Sequence, residues 1–158
     1  MASIKGKNTK PEMIVRKFLW RHGLRYRLNH PRLPGKPDIV LRKYRTCIFV
    51  NGCFWHGHEG CKLFVMPKTR TEFWQNKVNR NKERDKRVKQ ELTSMGWHSI
   101  TIWECELRPS NRERTLEALV YTLNRILLMN YGAKPYNTTE QETAAKVAED
   151  SAGERRND

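Results

Sequence analysis

Carboxylates are scarce in this chain: 17 aspartates and glutamates stand against 31 lysines and arginines, for a formal net charge of +14. The scarcity is sharper in the body. Residues 133–158 hold four basic and six acidic side chains, a balance of −2, so residues 1–132 carry the remainder, +16. A surface this poor in acid implies a polyanionic partner, with binding driven largely by counterion release on phosphate contact. Long apolar runs are missing too, and none approaches the roughly 20 residues a membrane helix needs, so no membrane partner is expected. The N-terminal MASIKGKNTK lacks the apolar core of a secretory leader. A cytoplasmic protein is expected, and its cysteines number only four. In a reducing compartment these point to metal ligation before disulfides. There are no internal repeats.

What is present reads as alternating elements. Thr9 can cap a helix with Pro11 in its first turn and Glu12 at the capping-box position. Ile14, Val15, Phe18 and Leu19 give that helix its apolar stripe, and Gly23 ends it. LRYRL alternates as a strand, and HPRLPGKPD is a proline-rich loop. DIVLRKYRTCIFVNG reads as two strands around a short basic turn, with Thr46 to Val50 central and buried. KTRTEFWQNKVNRNKERDKRVKQELTSMG carries Phe73, Lys77, Val78, Val88 and Leu92 at helical spacing, with Gly96 as its stop. WHSITIWEC is a further strand, and RERTLEALVYTLNRILLMN an amphipathic helix. The expected fold is α/β, a small mixed sheet between helices. One domain is expected over residues 1–131, followed by a polar, disordered tail over 132–158.

Cys53, His58 and Cys61 follow a C-x4-H-x2-C spacing, short enough for one loop to wrap a single ion. Zinc takes four such donors in a tetrahedron, and four protein ligands leave no open position, so the site would be structural. Cys105, at the end of TIWEC, is the natural fourth ligand. Cys47 is the alternative, although within TCIFV it reads as a small buried hydrophobe. Asp38 follows the rigid PGKP turn and can hold Mg²⁺, which prefers oxygen ligands near phosphates. The strand pair brings Asp38 toward Val50 and Asn51, and so toward His56, the imidazole that zinc leaves over and a candidate general base. Glu12 can reach the same metal through water.

Phe54 and Trp55 are adjacent, and Trp74 follows in the basic helix. Large apolar wedges among cations are what proteins use to part stacked bases. One of Phe73 and Trp74 is expected in the helix core, and Phe49, Trp97 and Trp103 are expected in the core proper. Lys68 and Arg70, with Lys77, Arg80, Lys82 and Arg84, can line a phosphate track.

In order and spacing, KNTKPE, LPGKPDIVL, FVNGCFWHGHEGC, PKTRTEFW, NRNKERD and WEC resemble the very-short-patch repair (Vsr) DNA mismatch endonucleases from about Lys7 to Arg108. The resemblance implies a restriction-endonuclease-like fold with one structural zinc and a Mg²⁺-dependent nick 5′ to the T of a T·G mismatch in double-stranded DNA. Such mismatches come from deaminated 5-methylcytosine, so a functional link to a cytosine-5 DNA methyltransferase is implied. Action as a monomer is expected, and mismatch-repair proteins are candidate partners. By motif, Asp38 is the principal metal carboxylate, His56 the catalytic histidine, Glu12 a support to the metal site and Asp85 the group orienting His56. Cys53, His58, Cys61 and Cys105 match the zinc ligands, and Phe54, Trp55 and Trp74 the intercalating aromatics. Several positions depart from the family pattern. Asn51 stands where some members have a second active-site histidine, Val50 where some have threonine, and Gly60 is an added residue before Cys61. No acid-x-lysine pair follows Asp38, which places more of the water activation on His56. Members usually carry a further stretch ahead of the residue aligned with Met1, which helps grip the minor groove, so reduced affinity or selectivity is expected here. Two competing readings use the same residues: a zinc-stabilised non-catalytic DNA-binding module, and a nuclease of this fold without mismatch specificity.

Overall fold

In a computed structural model, which describes residues 8–130, Thr9 opens the first helix α1 (Lys10–Arg21) with its hydroxyl accepting from the Glu12 N–H at 3.4 Å. The capping box is only half made. The Glu12 carboxylate takes the Asn8 N–H (3.0 Å) and Arg16 (3.1 Å) instead of the Thr9 N–H. The following strand, β1, shrinks from the expected LRYRL to Arg27–Leu28, because Leu24 and Tyr26 pack against the core instead of extending the ladder.

Strands β2 (Ile39–Leu41) and β3 (Thr46–Asn51) are antiparallel, joined by one helical turn over Arg42–Tyr44 and a left-handed Arg45. Helix α2 (Thr71–Ser94) then crosses over to β4 (His98–Trp103), which pairs parallel to β3, as a crossover connection allows. The sheet order is β1-β2-β3-β4, a mixed four-stranded sheet, and α3 (Arg112–Asn130) closes the described chain. Among the described residues no helix is long and apolar enough to cross a membrane. The tail expected over 132–158 lies outside them.

The period of two along the strands sorts the core into two layers. Ile39, Leu41, Ile48 and Ile102 face α1 and α3, where Val15, Leu19, Leu119 and Leu123 meet them. Val40 and Cys47 face the other way, with Leu33, onto Leu92 of α2. Phe49 and Trp97 join this second layer only partly buried, and Trp103 is half-buried, so none of the three is the full core residue its size suggests.

Helix α2 presents Trp74, Val78, Asn81, Asp85, Val88 and Leu92 on one stripe, at alternating spacings of four and three. The long loop between β3 and α2 lies against that stripe. Gly57 is buried there with φ +62°, where an added Cβ would stand 2.8 Å from Val78 Cγ1 and 2.7 Å from Lys82 Cδ. Gly60 also has positive φ (+74°), but with nothing within 4 Å of its would-be Cβ. Gly60→Ala should therefore cost only the left-handed penalty of about 1–2 kcal/mol. Gly57→Ala should cost a further 1–3 kcal/mol or so from overpacking. Urea denaturation of the two variants measures the difference, and equal midpoints would contradict the packing described here.

Candidate active site and metal centre

The end of the sheet and the stripe of α2 enclose a cleft of ≈ 440 Å³. Asp38 enters it from the residue before β2. The β2–β3 register sets it beside β3, and its Oδ2 accepts the Val50 N–H at 2.8 Å. His56 enters from the loop, and its Nδ1 lies 2.6 Å from Asp85 Oδ2 on α2. With Nδ1–H donating to that carboxylate, the neutral ring keeps its lone pair on Nε2. Burial pushes the Asp38 carboxyl up to about 6, and the nearby Glu12 charge adds to the rise; the Val50 N–H, His56 and Arg16 oppose it. A carboxyl poised there is unusual for a surface acid and common at functional sites.

Glu12 does not line the cleft. It is buried behind it, its Oε2 held by Arg16. Arg16 was not singled out by sequence reasoning, since one arginine in an amphipathic helix reads as a solvated charge. Its only signal was the i, i+4 spacing from Glu12. Lys36, Arg84 and Lys89 bring three cations to the cleft, of which only Arg84 was anticipated. Thr101 lines it too, with a buried hydroxyl that has no partner among the described residues, and an alternating strand offers no signal for that. Asn51, buried, lines the cleft at the position noted above as histidine in some related sequences.

Beyond His56 the loop turns back toward the end of β4. The donor atoms of Cys53, His58, Cys61 and Cys105 all lie within 4.8 Å of one another, and Cys105 Sγ is 3.5 Å from His58 Nδ1. A tetrahedral ion with bonds of about 2.0–2.3 Å holds its donors some 3.3–3.8 Å apart, so a small contraction would close the set on one metal. Three thiols and an imidazole are a donor set that fits zinc. The choice left open by spacing falls to Cys105. Cys47 is fully buried in the second core layer, and burial pushes its thiol up to about 12. Neighbours fix the ligands: the His58 ring stacks flat on Trp103 (4.1 Å, 4°), and Glu104 accepts the Cys53 N–H at 2.9 Å.

The aromatics form one cluster. Phe54 contacts Trp55 (5.3 Å between centroids) and Trp74 (5.9 Å), and the two indoles are 5.8 Å apart, all edge-on. Lys77 caps both indoles at 5.2 and 5.7 Å, while Phe73, the exposed partner of Trp74, carries Arg70 at 4.8 Å. Lys68 and Arg70 are exposed at the entry to α2. Lys82 is paired with the exposed Glu59 at 2.7 Å.

Comparison with known proteins agrees with this architecture. The sequence profile described as DNA mismatch endonuclease Vsr matches residues 1–63. The DNA mismatch endonuclease Vsr of Escherichia coli is 44% identical over 124 residues, 78% of each chain. The type II nicking enzyme V.NmeAIP of Neisseria meningitidis is 51% identical over 108 residues, 68% of this chain and 76% of its own. A type II nicking enzyme of Xanthomonas oryzae, V.XorIIP, is 45% identical over 107 residues, 68% and 78% of the two chains. Fold, cleft and relatives together make the protein a DNA endonuclease, a hydrolase of phosphodiester bonds. Within that class, the chain belongs to the DNA mismatch endonuclease Vsr family.

The raised Asp38 carboxyl has a thermodynamic signature. Its folded value, about 6, lies above the ordinary 3.8, so the folded state binds the proton more tightly. Stability is thus lost as pH rises from about 4 to about 6 and stays level above that. In magnesium-free buffer Asp38→Asn should match the parent near pH 4. It should become more stable by an amount on the order of 2–3 kcal/mol at pH 7, at about 1.4 kcal/mol per unit. Denaturant midpoints across pH check this, and a pH-independent difference would contradict it.

Proposed function

We propose that the protein nicks one strand of duplex DNA 5′ to the thymine of a T·G mismatch. The observation that carries the reading is the convergence of Asp38, fixed by the Val50 N–H, and His56, fixed by Asp85, in one cation-lined cleft. In this reading Asp38 holds Mg²⁺, with Glu12 supporting the site from behind through Arg16 and water. The ion would neutralise phosphate charge and orient the leaving oxygen. His56 Nε2 takes a proton from water as its oxygen attacks phosphorus. Asp85 holds the other ring N–H and stabilises the imidazolium that results. The P–O3′ bond breaks, the leaving O3′ takes a proton from solvent, and a 3′-hydroxyl and a 5′-phosphate remain. Cys53, His58, Cys61 and Cys105 would bind a structural zinc. All four donors come from protein, so that ion would stiffen the loop carrying His56 without joining the chemistry.

Mismatch preference is assigned to Phe54, Trp55 and Trp74, with Lys68 and Arg70 contacting phosphates at the same end of α2. Inserting these rings into DNA breaks aromatic contacts worth about 0.5–1.5 kcal/mol each. Stacking on bases returns about 1–3 kcal/mol per base. A T·G step, already weakly paired, tips that exchange toward insertion, whereas a matched step adds an unstacking cost of a few kcal/mol. A single polypeptide suffices for a single nick.

A strand-resolved assay on a duplex with one T·G pair, run beside its matched counterpart, tests the reading. A Mg²⁺-dependent nick 5′ to the mismatched T is expected. Asp38→Ala should abolish it while sparing binding, and His56→Ala should slow it about 10²–10⁴-fold. Equal nicking of the matched duplex would favour a nuclease without mismatch specificity, in line with relatives named simply as nicking enzymes. Binding without any nick would favour a non-catalytic module.

A further inference from the structure

The described chain exposes two large aromatics that the site above does not use, Tyr121 on α3 and Trp20, and of these Trp20 lies in a groove. Trp20, near the end of α1, is 61% exposed, and the Arg25 guanidinium lies 4.6 Å over its ring. It lines a shallow groove of ≈ 340 Å³ between α1 and the edge strand β1, with Met13, Lys17 and Arg21 on the helix side and Tyr26 and Leu28 on the other. Met13 and Leu28 are also exposed, at 36% and 42%. Among the described residues no carboxylate lines this groove, and none of Lys17, Arg21 and Arg25 is in an ion pair. Met13, Trp20 and Leu28 thus form one exposed apolar patch rimmed by cations, the kind of surface that marks an interaction site.

Arg16 connects this groove to the cleft. It lines the groove, touches Met13 Sδ at 3.4 Å and is close enough to Asp38 to lower its carboxyl pKa. The two sites thus adjoin across one helix, whose Glu12 is buried behind the cleft while its Trp20 is open to solvent. We propose that this open face is a second DNA-binding surface, which takes the backbone of the substrate duplex flanking the nick. Lys17, Arg21 and Arg25 hold phosphates, and Trp20 packs flat against a sugar or base edge. A sugar–phosphate strand fits the groove because it supplies charge for the cations and an apolar face for the ring in one ligand. The proposal rests on duplex DNA being the substrate.

The test measures binding of the full-length protein to T·G duplexes whose two arms are trimmed in turn. Trp20→Ala, Trp20→Phe and the double variant Lys17→Gln, Arg21→Gln are compared with the parent, each checked for an unchanged melting temperature. On long duplexes Trp20→Ala should raise Kd about tenfold, consistent with loss of one stacking contact, and Trp20→Phe should recover most of it. The double variant should flatten the slope of log Kd against log salt by about two. The loss should fall on Kd and KM, and it should vanish once the arm that reaches α1 is removed. Unchanged Kd and slope, or a loss that persists on the shortest duplex, would overturn the proposal. Binding decides this question even if the parent fails to nick, a result that would count against the mismatch-nicking reading instead.

Discussion

Between Gly52 and Arg70 the chain has no helix or strand of its own, yet it supplies the imidazole, three of the four metal donors and two of the clustered aromatics. What positions it is one face of α2. Val78 packs over Gly57, Asn81 donates to the Trp55 carbonyl at 2.9 Å, and Asp85 holds His56 at 2.6 Å. These three residues, with Trp74 before them and Val88 and Leu92 after, share one stripe. The period of the helix therefore sets the distance from the aromatic cluster to the imidazole and from there to the core. A helix of 24 residues anchored by Leu92 in the second core layer is a stiff ruler for that purpose. The glycine at 57 is required because a loop that must lie this close to a helix has no room for a Cβ.

The second constraint is electrostatic. In a chain short of carboxylates, Asp38, Glu12 and Asp85 converge behind and beside one cleft, each held by a specific donor: the Val50 N–H, Arg16 and His56. Burying acids costs free energy, as the raised Asp38 carboxyl records. The cost is concentrated where a cation would relieve it, while Lys36, Arg84 and Lys89 at the cleft are set to meet phosphate. Acid inside and base outside is the arrangement expected of a site that binds a metal ion and a polyanion together.

Much of this was legible in the sequence because it rests on local rules. Thr9 and Pro11 announce α1, Gly23 and Gly96 mark helix ends, and the strand pair flanking Arg42–Tyr44 follows from alternation. The motifs named Asp38, His56, Asp85 and the Cys/His donors, and the structure brings the first three to one cleft and the four donors to one point. What was not legible depends on tertiary contact. β1 lost most of its length because Leu24 and Tyr26 had better packing available. Trp103 looked like core and instead forms a flat floor under His58. Arg16 pairs with Glu12 one turn away, but its nearness to Asp38, like the place of Thr101 at the cleft, depends on segments distant in sequence, which no period or propensity encodes.

The Cys/His donor set spans the two halves of the site. Cys53 and Cys61 bracket the loop, while Cys105 belongs to the segment following β4, 44 residues beyond Cys61 in sequence. One ion on all four donors would join the loop to the parallel β3–β4 pair, whose register already runs from Thr46↔His98 to Asn51↔Trp103. His56 lies between Cys53 and His58, within the segment that ion would clamp, and its other restraint is Asp85 on α2. With an ion bound, the imidazole would be held from two sides, by a sheet through the metal and by a helix through the hydrogen bond to Asp85. In the proposed reaction, with Asn51 in place of a second histidine, a single imidazole held this way would have to supply the proton transfer that two would otherwise share.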